Sequence, residues 1–178
     1  MGLIGALASP GLLAFAAGAP ICEVNTLPLM EMSPTLADPA PTGWSLRSTR
    51  PSYVNGHAVS IRVHHADAKK RVRGVLIWAK SGPFTGAGNF LLPASALYQF
   101  IPAPADCSQW ALSHTSPAAK SLPDLQFQWL PPAGGTVILR AFLIEDCGQP
   151  QGCRAYQALT PVLVLQEALF VDGLEALE

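Results

Sequence analysis

The chain is short of the groups that most chemistry needs. Its charged residues nearly cancel, leaving a formal net charge of −1 over 178 residues. That removes the electrostatic basis for binding nucleic acid or an anionic membrane. No two cysteines stand in the close C-x2-C spacing of a structural zinc site. There is no Gly-Lys-Ser/Thr phosphate loop and no Gly-x-Ser-x-Gly nucleophile elbow. No Asn is followed two residues later by Ser or Thr, so N-glycosylation is not expected. No strong helical period runs anywhere in the chain, and nothing after the N-terminal segment could bind haem or cross a membrane. No cofactor is implied.

Breakers are abundant instead: 17 Pro and 15 Gly, spread along the chain. Short apolar stretches between frequent breakers suit an antiparallel β-sandwich better than a helical domain. The stretch Arg73-Gly74-Val75-Leu76-Ile77-Trp78-Ala79-Lys80 is the centre of that pattern. A continuous apolar run of this length reads as a strand buried on both faces. Around it lie alternating segments. Val59, Ile61 and Val63 point one way; Ser60, Arg62 and His64 point the other. Leu125, Phe127 and Trp129 share a face, and so do Trp44, Leu46 and Ser48. Trp110, Leu112 and His114 form a similar set. Residues 136–145 make a second long strand. Asn55-Gly56 marks a turn, since both residue types accept positive φ. Residues 93–106 read as a long connection, and 161–165 as an edge strand because of Pro161. The count is seven or eight strands, a fold class of all-β, immunoglobulin-like antiparallel β-sandwich. Trp44, Trp78, Trp110 and Trp129 fall mostly in the core.

Residues 1–17 carry no charged side chain and end in small residues, the pattern of a signal peptide and its cleavage site. Pro10 and Gly11 argue against a single spanning helix. The expected division is a leader over 1–17, a domain over 18–146, and a C-terminal extension over 147–178. Residues 23–41 read as an extended arm, held at one end by Cys22, in which Met30 and Met32 fill core gaps. The tail from 166 to 178 reads as acidic and loosely helical.

Four cysteines, Cys22, Cys107, Cys147 and Cys153, follow the apolar N-terminus. An even number in that context points to disulfides in an oxidising compartment. Cys147 and Cys153 are six apart and suit a small local bridge, which would leave Cys22 with Cys107. Spacing alone leaves the other two connectivities open.

Candidate chemistry is thin. Ser113-His114 suggests a nucleophile and base, but neighbours in a strand point to opposite faces. His57, His64 and His65 do not converge by spacing, so no metal site is expected. Asp67, Asp106, Asp124 and Asp146 fall at strand ends or in loops, where turn capping accounts for them. Lys69, Lys70, Arg71 and Arg73 read as a solvated basic loop.

The order of these signals resembles the reeler, or reelin-type, domain family. Gly18-Ala19-Pro20-Ile21-Cys22 is similar to the family's opening, and Met32-Ser33-Pro34 to its Met-x-Pro element. Tyr53-Val54-Asn55-Gly56 leading into Val59-Ser60-Ile61 resembles the next. Residues 72–80 look like the hallmark Phe-x-Gly-Phe-Leu-Leu-x-Ala-Arg, with Val in place of both Phe. Gly88-Asn89-Phe90, then Cys107 with Ser113-His114 and Lys120, then Phe127-Gln128-Trp129-Leu130-Pro131-Pro132, and finally Gly135-Thr136-Val137 complete the series over about residues 18–146. The resemblance implies an immunoglobulin-like sandwich, a Cys22–Cys107 bridge and no enzyme activity. The expected function is a secreted, non-enzymatic recognition module that binds an extracellular protein, glycan or microbial surface. The alternative is the lumenal part or a paralogue of a membrane b-type-cytochrome ferric reductase.

Overall fold

The computed structural model describes residues 18–19, 21–23, 43–101, 107–148, 154–157 and 163–168. Twelve strands follow in order: β1 (Ser45–Ser48), β2 (Ser52–Tyr53), β3 (Val59–His64), β4 (Arg71–Lys80), β5 (Asn89–Leu91), β6 (Tyr98–Phe100), β7 (Ala111–His114), β8 (Lys120–Ser121), β9 (Gln126–Leu130), β10 (Thr136–Glu145), β11 (Arg154–Gln157) and β12 (Leu163–Glu167). A single 3-10 turn, Leu122–Asp124, is the only helical element among the described residues. The all-β expectation holds.

The strands form two layers. One sheet runs β1-β3-β9-β5; the other runs β2-β12-β10-β4-β7-β6, with β11 added to β10 and β8 to β4. All pairings are antiparallel except β12 with β2. The run around Val75 is central, as its composition demands. β4 pairs with β10 on one side and with β7 and β8 on the other.

Between the sheets lies a continuous core. β3 contributes Val59, Ile61 and Val63, and β9 contributes Phe127 and Trp129. From the facing sheet come Val75, Ile77, Ala79, Val137, Leu139, Ala141 and Leu143. Along β3, β9, the second half of β4 and β10 every second residue enters this core, the period a strand dictates. Aromatic rings meet edge to face: Tyr53 with Trp129 at 5.8 Å and Tyr98 with Phe127 at 4.9 Å, the arrangement their ring quadrupoles favour. The Tyr53 hydroxyl donates to the carbonyls of Gly134 and Gly135 at 2.7 and 2.8 Å. It thereby ties the turn before β10 to the chain entering Asn55-Gly56. That turn closes with the His57 amide on the Val54 carbonyl. Gly56, at φ +76°, takes the left-handed position, and the turn carries the chain from one sheet to the other.

The structure differs from expectation at β6, at β12 and at Trp110. β6 lies inside the connection expected over 93–106; it has three residues, too few for a visible period, and Tyr98 anchors it by burial. β12 is flanked on both sides, by β10 and β2, rather than forming an edge. Its Leu165 is fully buried in the inner core. Gln166 and Glu167 belong to this strand and not to a helical tail. Trp110 precedes β7 and packs on the opposite side of the sheet from Leu112. The leader over 1–17, Met30, Met32, Asp106, Cys153 and the tail beyond Ala168 lie outside the described residues.

Candidate functional site

Strand β4 is buried on both faces, so something must cover the side turned away from the inner core. Its register with β10 sets four outward pairs: Gly74 with Ile144, Leu76 with Phe142, Trp78 with Arg140, and Lys80 with Ile138. The first two pairs are sealed. Leu76, Trp78, Phe142 and Ile144 join Ala19, Ile101, Cys107 and Ala111 in a second, smaller apolar cluster, with Ile21, Cys22 and Trp110 packed against it. Two segments distant in sequence thus make the lid. Cys22 and Cys107 bond them together with Cα atoms 5.3 Å apart. Cys147 is also disulfide-bonded.

The N-terminal segment is seated by hydrogen bonding as well as by sulfur. The Ala19 amide donates to Ser113 Oγ at 2.7 Å, and Ser113 Oγ donates to the Val75 carbonyl at 3.1 Å. Gly18, at φ +107°, fits where a Cβ would stand 2.5 Å from the His114 carbonyl oxygen. Only a residue without a side chain takes that place unstrained.

Ser113 and His114 are closer than strand alternation predicts: Ser113 Oγ and His114 Nδ1 are 3.5 Å apart. The β4–β7 ladder ends at Leu76 with Ser113. Beyond it, His114 Nδ1 turns back to the Val75 main chain, 3.1 Å from both its nitrogen and its oxygen. The two side chains therefore converge on one backbone position. Both are buried, and the serine is engaged on each side, so the arrangement is a brace for the segment at Ala19.

The other candidate residues do not gather. His57 is exposed and His64 and His65 are partly so. Burial first, then Arg47 and Arg62, hold the His64 imidazole below its usual pKa. Among the described residues no three His, Cys, Asp or Glu side chains come together to hold a metal. Asp67 accepts from the Lys69 amide at 2.9 Å, a turn-capping bond. Asp124 accepts from the Ser121 side chain and amide, which hold its carboxyl below the usual range. Asp146 is lowered likewise by its bonds from Arg73 and the Gly148 amide. The basic loop is tied down: Lys70 pairs with Glu145 and Arg73 with Asp146. Among the described residues no helix is long and apolar enough to cross a membrane.

Where the lid ends, a cleft of about 360 Å³ opens beside the covered Trp78, over Arg140, Lys80 and Ile138. Glu23, Trp78, Lys80, Pro83, Ile138 and Arg140 line it. Val164, the neighbour of Ile138 in register, is 47% exposed. Lys80 Nζ pairs with Glu23 at 2.7 and 2.9 Å and donates to the Pro83 carbonyl. It also lies 6.0 Å from the ring centroid of Phe84, which is 93% exposed at the rim. The side chain of Arg140, which is half-buried, has neither hydrogen bond nor ion pair among the described residues. The cleft therefore holds two cations against one anion.

Sequence reasoning did not single out this cleft, but one signal for it was present. Arg140 is the only charge between Thr136 and Ile144 in an otherwise apolar strand, on the phase that faces away from the inner core. Nothing local announces Glu23 as its neighbour, because a lid crossing brings it there.

The chain matches the Reeler domain family over residues 26–147. Among solved structures, the human F-spondin reeler domain (fragment 1) superposes with a TM-score of 0.56 at 24% identity, covering 71% of this chain and 89% of that one. The fragment 2 structure gives 0.54 at 23%, with 71% and 89% covered. The Reelin-N domain of F-spondin gives 0.54 at 25%, with 71% and 87% covered. No curated protein matches the chain.

Proposed function

Because the chain belongs to the reeler family, we propose that it is a secreted, non-enzymatic recognition module that binds an extracellular protein, glycan or microbial surface. The observation that carries this reading is the cleft beside the lid, where an Arg with no polar partner among the described residues stands beside Ile138 and Pro83. Concave, mostly apolar sites with a few placed polar groups are where ligands bind. Arg is among the residues that dominate interface energetics. The leader-like residues 1–17 and the Cys22–Cys107 bridge support an extracellular setting. The commitment of Ser113 and His114 to bracing bonds supports a non-catalytic role.

The test expresses the full chain in a secretory host. Medium and cell fractions are compared, then the secreted protein is presented to arrays of extracellular proteins, glycans and microbial cell walls. The expected result is recovery from the medium without residues 1–17 and saturable capture by at least one class. Retention in the cytosol with reduced cysteines would reject secretion, and turnover of a substrate by the pure protein would reject the non-enzymatic role.

A further inference from the structure

We infer that the cleft over Trp78 and Arg140 takes a carboxylate-bearing protein segment: an Asp or Glu side chain flanked by an apolar one. This rests on the recognition reading above and names the ligand class of the same site.

Three observations lead there. First, Arg140 projects from the middle of β10 at the register position of Trp78, with no carboxylate or carbonyl among the described residues to satisfy it. A guanidinium presents a planar fork of donors that matches a carboxylate bidentately. Second, apolar groups stand around it: Ile138, Pro83 and the almost fully buried Trp78 line the cleft, and Val164 neighbours Ile138 in register. An ion pair formed beside such walls is less screened than one in open solvent. The same walls suit the apolar neighbour of the acid, and the exposed Phe84 ring offers it a further contact. Third, Glu23 already neutralises Lys80 at 2.7 Å. Among the described residues that leaves Arg140 as the unpaired cation of the cleft, which fits a single carboxylate.

The same observations disfavour the other classes. A polysulfated glycan needs an array of cations, and Glu23 sets a negative charge in its path. A neutral glycan offers no charge to Arg140, and with Trp78 only 1% exposed the Phe84 ring at the rim is the one aromatic face left for it to stack on.

The test titrates the oxidised full chain, labelled with nitrogen-15, with acetyl-Leu-Glu-Phe-amide and its Gln counterpart. Saturable shifts are expected at the Trp78 indole N–H and the Arg140 Nε–H. Replacing Glu by Gln in the peptide, or Arg140→Gln in the protein, is expected to weaken binding at least tenfold, with Arg140→Lys between. Thermal unfolding of the variants confirms that each is folded. Equal affinity for the Glu and Gln peptides, or no shift at the cleft, overturns the inference. A heparin hexasaccharide that binds the cleft more tightly than the Glu peptide also overturns it while leaving the recognition reading intact. Failure of every class in the secreted-protein arrays overturns that reading separately.

Discussion

On the side facing the four-stranded sheet, β4 and β10 bury Val75, Ile77, Leu139 and Leu143 against strands that are themselves hydrogen-bonded in register. On the other side, Leu76 and Phe142 are covered by Ala19, Ile21, Cys22 and Ile101, which belong to no strand. The inner side is self-supporting: each residue ordered there adds both a ladder bond and a packed side chain. The outer side lacks ladders. Ordering its chain costs about 1–2 kcal/mol per residue, and burying an aliphatic side chain returns about 1.5–3 kcal/mol. The balance is close to zero for so few residues. A bridge between positions 85 apart shifts it, since closing a loop of that size is worth about 4–5 kcal/mol in chain entropy. The outer cover is thus held by a covalent bond. It ends where the covered chain ends, and the cleft is what remains open.

Trp129→Ala removes a fully buried indole of the inner core. It should cost about 3–5 kcal/mol in urea denaturation, by the same amount whether the disulfides are oxidised or reduced. Replacing Cys22 and Cys107 together by Ser should cost about 2–5 kcal/mol. The far-UV spectrum of the sandwich should survive, while acrylamide quenching of tryptophan should rise as Trp78 and Trp110 lose their cover. If inner-core packing collapses with the bridge, the two sides are not separable.

Lys120 tests a third means of closure. It is fully buried, and its ammonium donates to the carbonyls of Arg73, Ser116 and Ala118 at 2.8–2.9 Å. Lys120→Met leaves three acceptors without their donor and should cost about 1–3 kcal/mol. Burial lowers the Lys120 pKa to about 8, below its unfolded value near 10.5. Between those values the unfolded chain binds more protons, so this group's contribution to stability rises with pH. Stability of the wild type relative to Lys120→Met should therefore increase from pH 8 to pH 10. A flat difference would show that the three carbonyls outweigh desolvation. Smallest is Ser113→Ala, which removes the acceptor for the Ala19 amide. It should cost about 1 kcal/mol and, on oxidative refolding, lower the yield of the Cys22–Cys107 pair seen by non-reducing peptide mapping.

The inner side was legible in the sequence and the outer side was not. Period two in Val59, Ile61 and Val63 and in Phe127 and Trp129 follows from strand geometry alone, so composition exposes it. The double burial of Val75, Leu76, Ile77 and Trp78 was equally plain, and it required an outer cover. What supplies that cover could not be read locally. Ala19 meets Ser113 across 94 residues, and Glu23 meets Lys80 across 57. Such contacts depend on where irregular chain crosses a sheet, and irregular chain has no period. The same holds for Lys120, whose carbonyl partners come from a turn and a strand. His114 shows the limit of the periodic argument itself: alternation fails where the ladder stops.

The most direct measurement is hydrogen exchange at the Ala19 amide by NMR, with the Cys22–Cys107 bridge intact and then reduced. The account predicts a strongly protected amide in the oxidised protein and fast exchange after reduction, while the amides of β3 and β9 keep their protection. An Ala19 amide that exchanges freely with the bridge intact would contradict it.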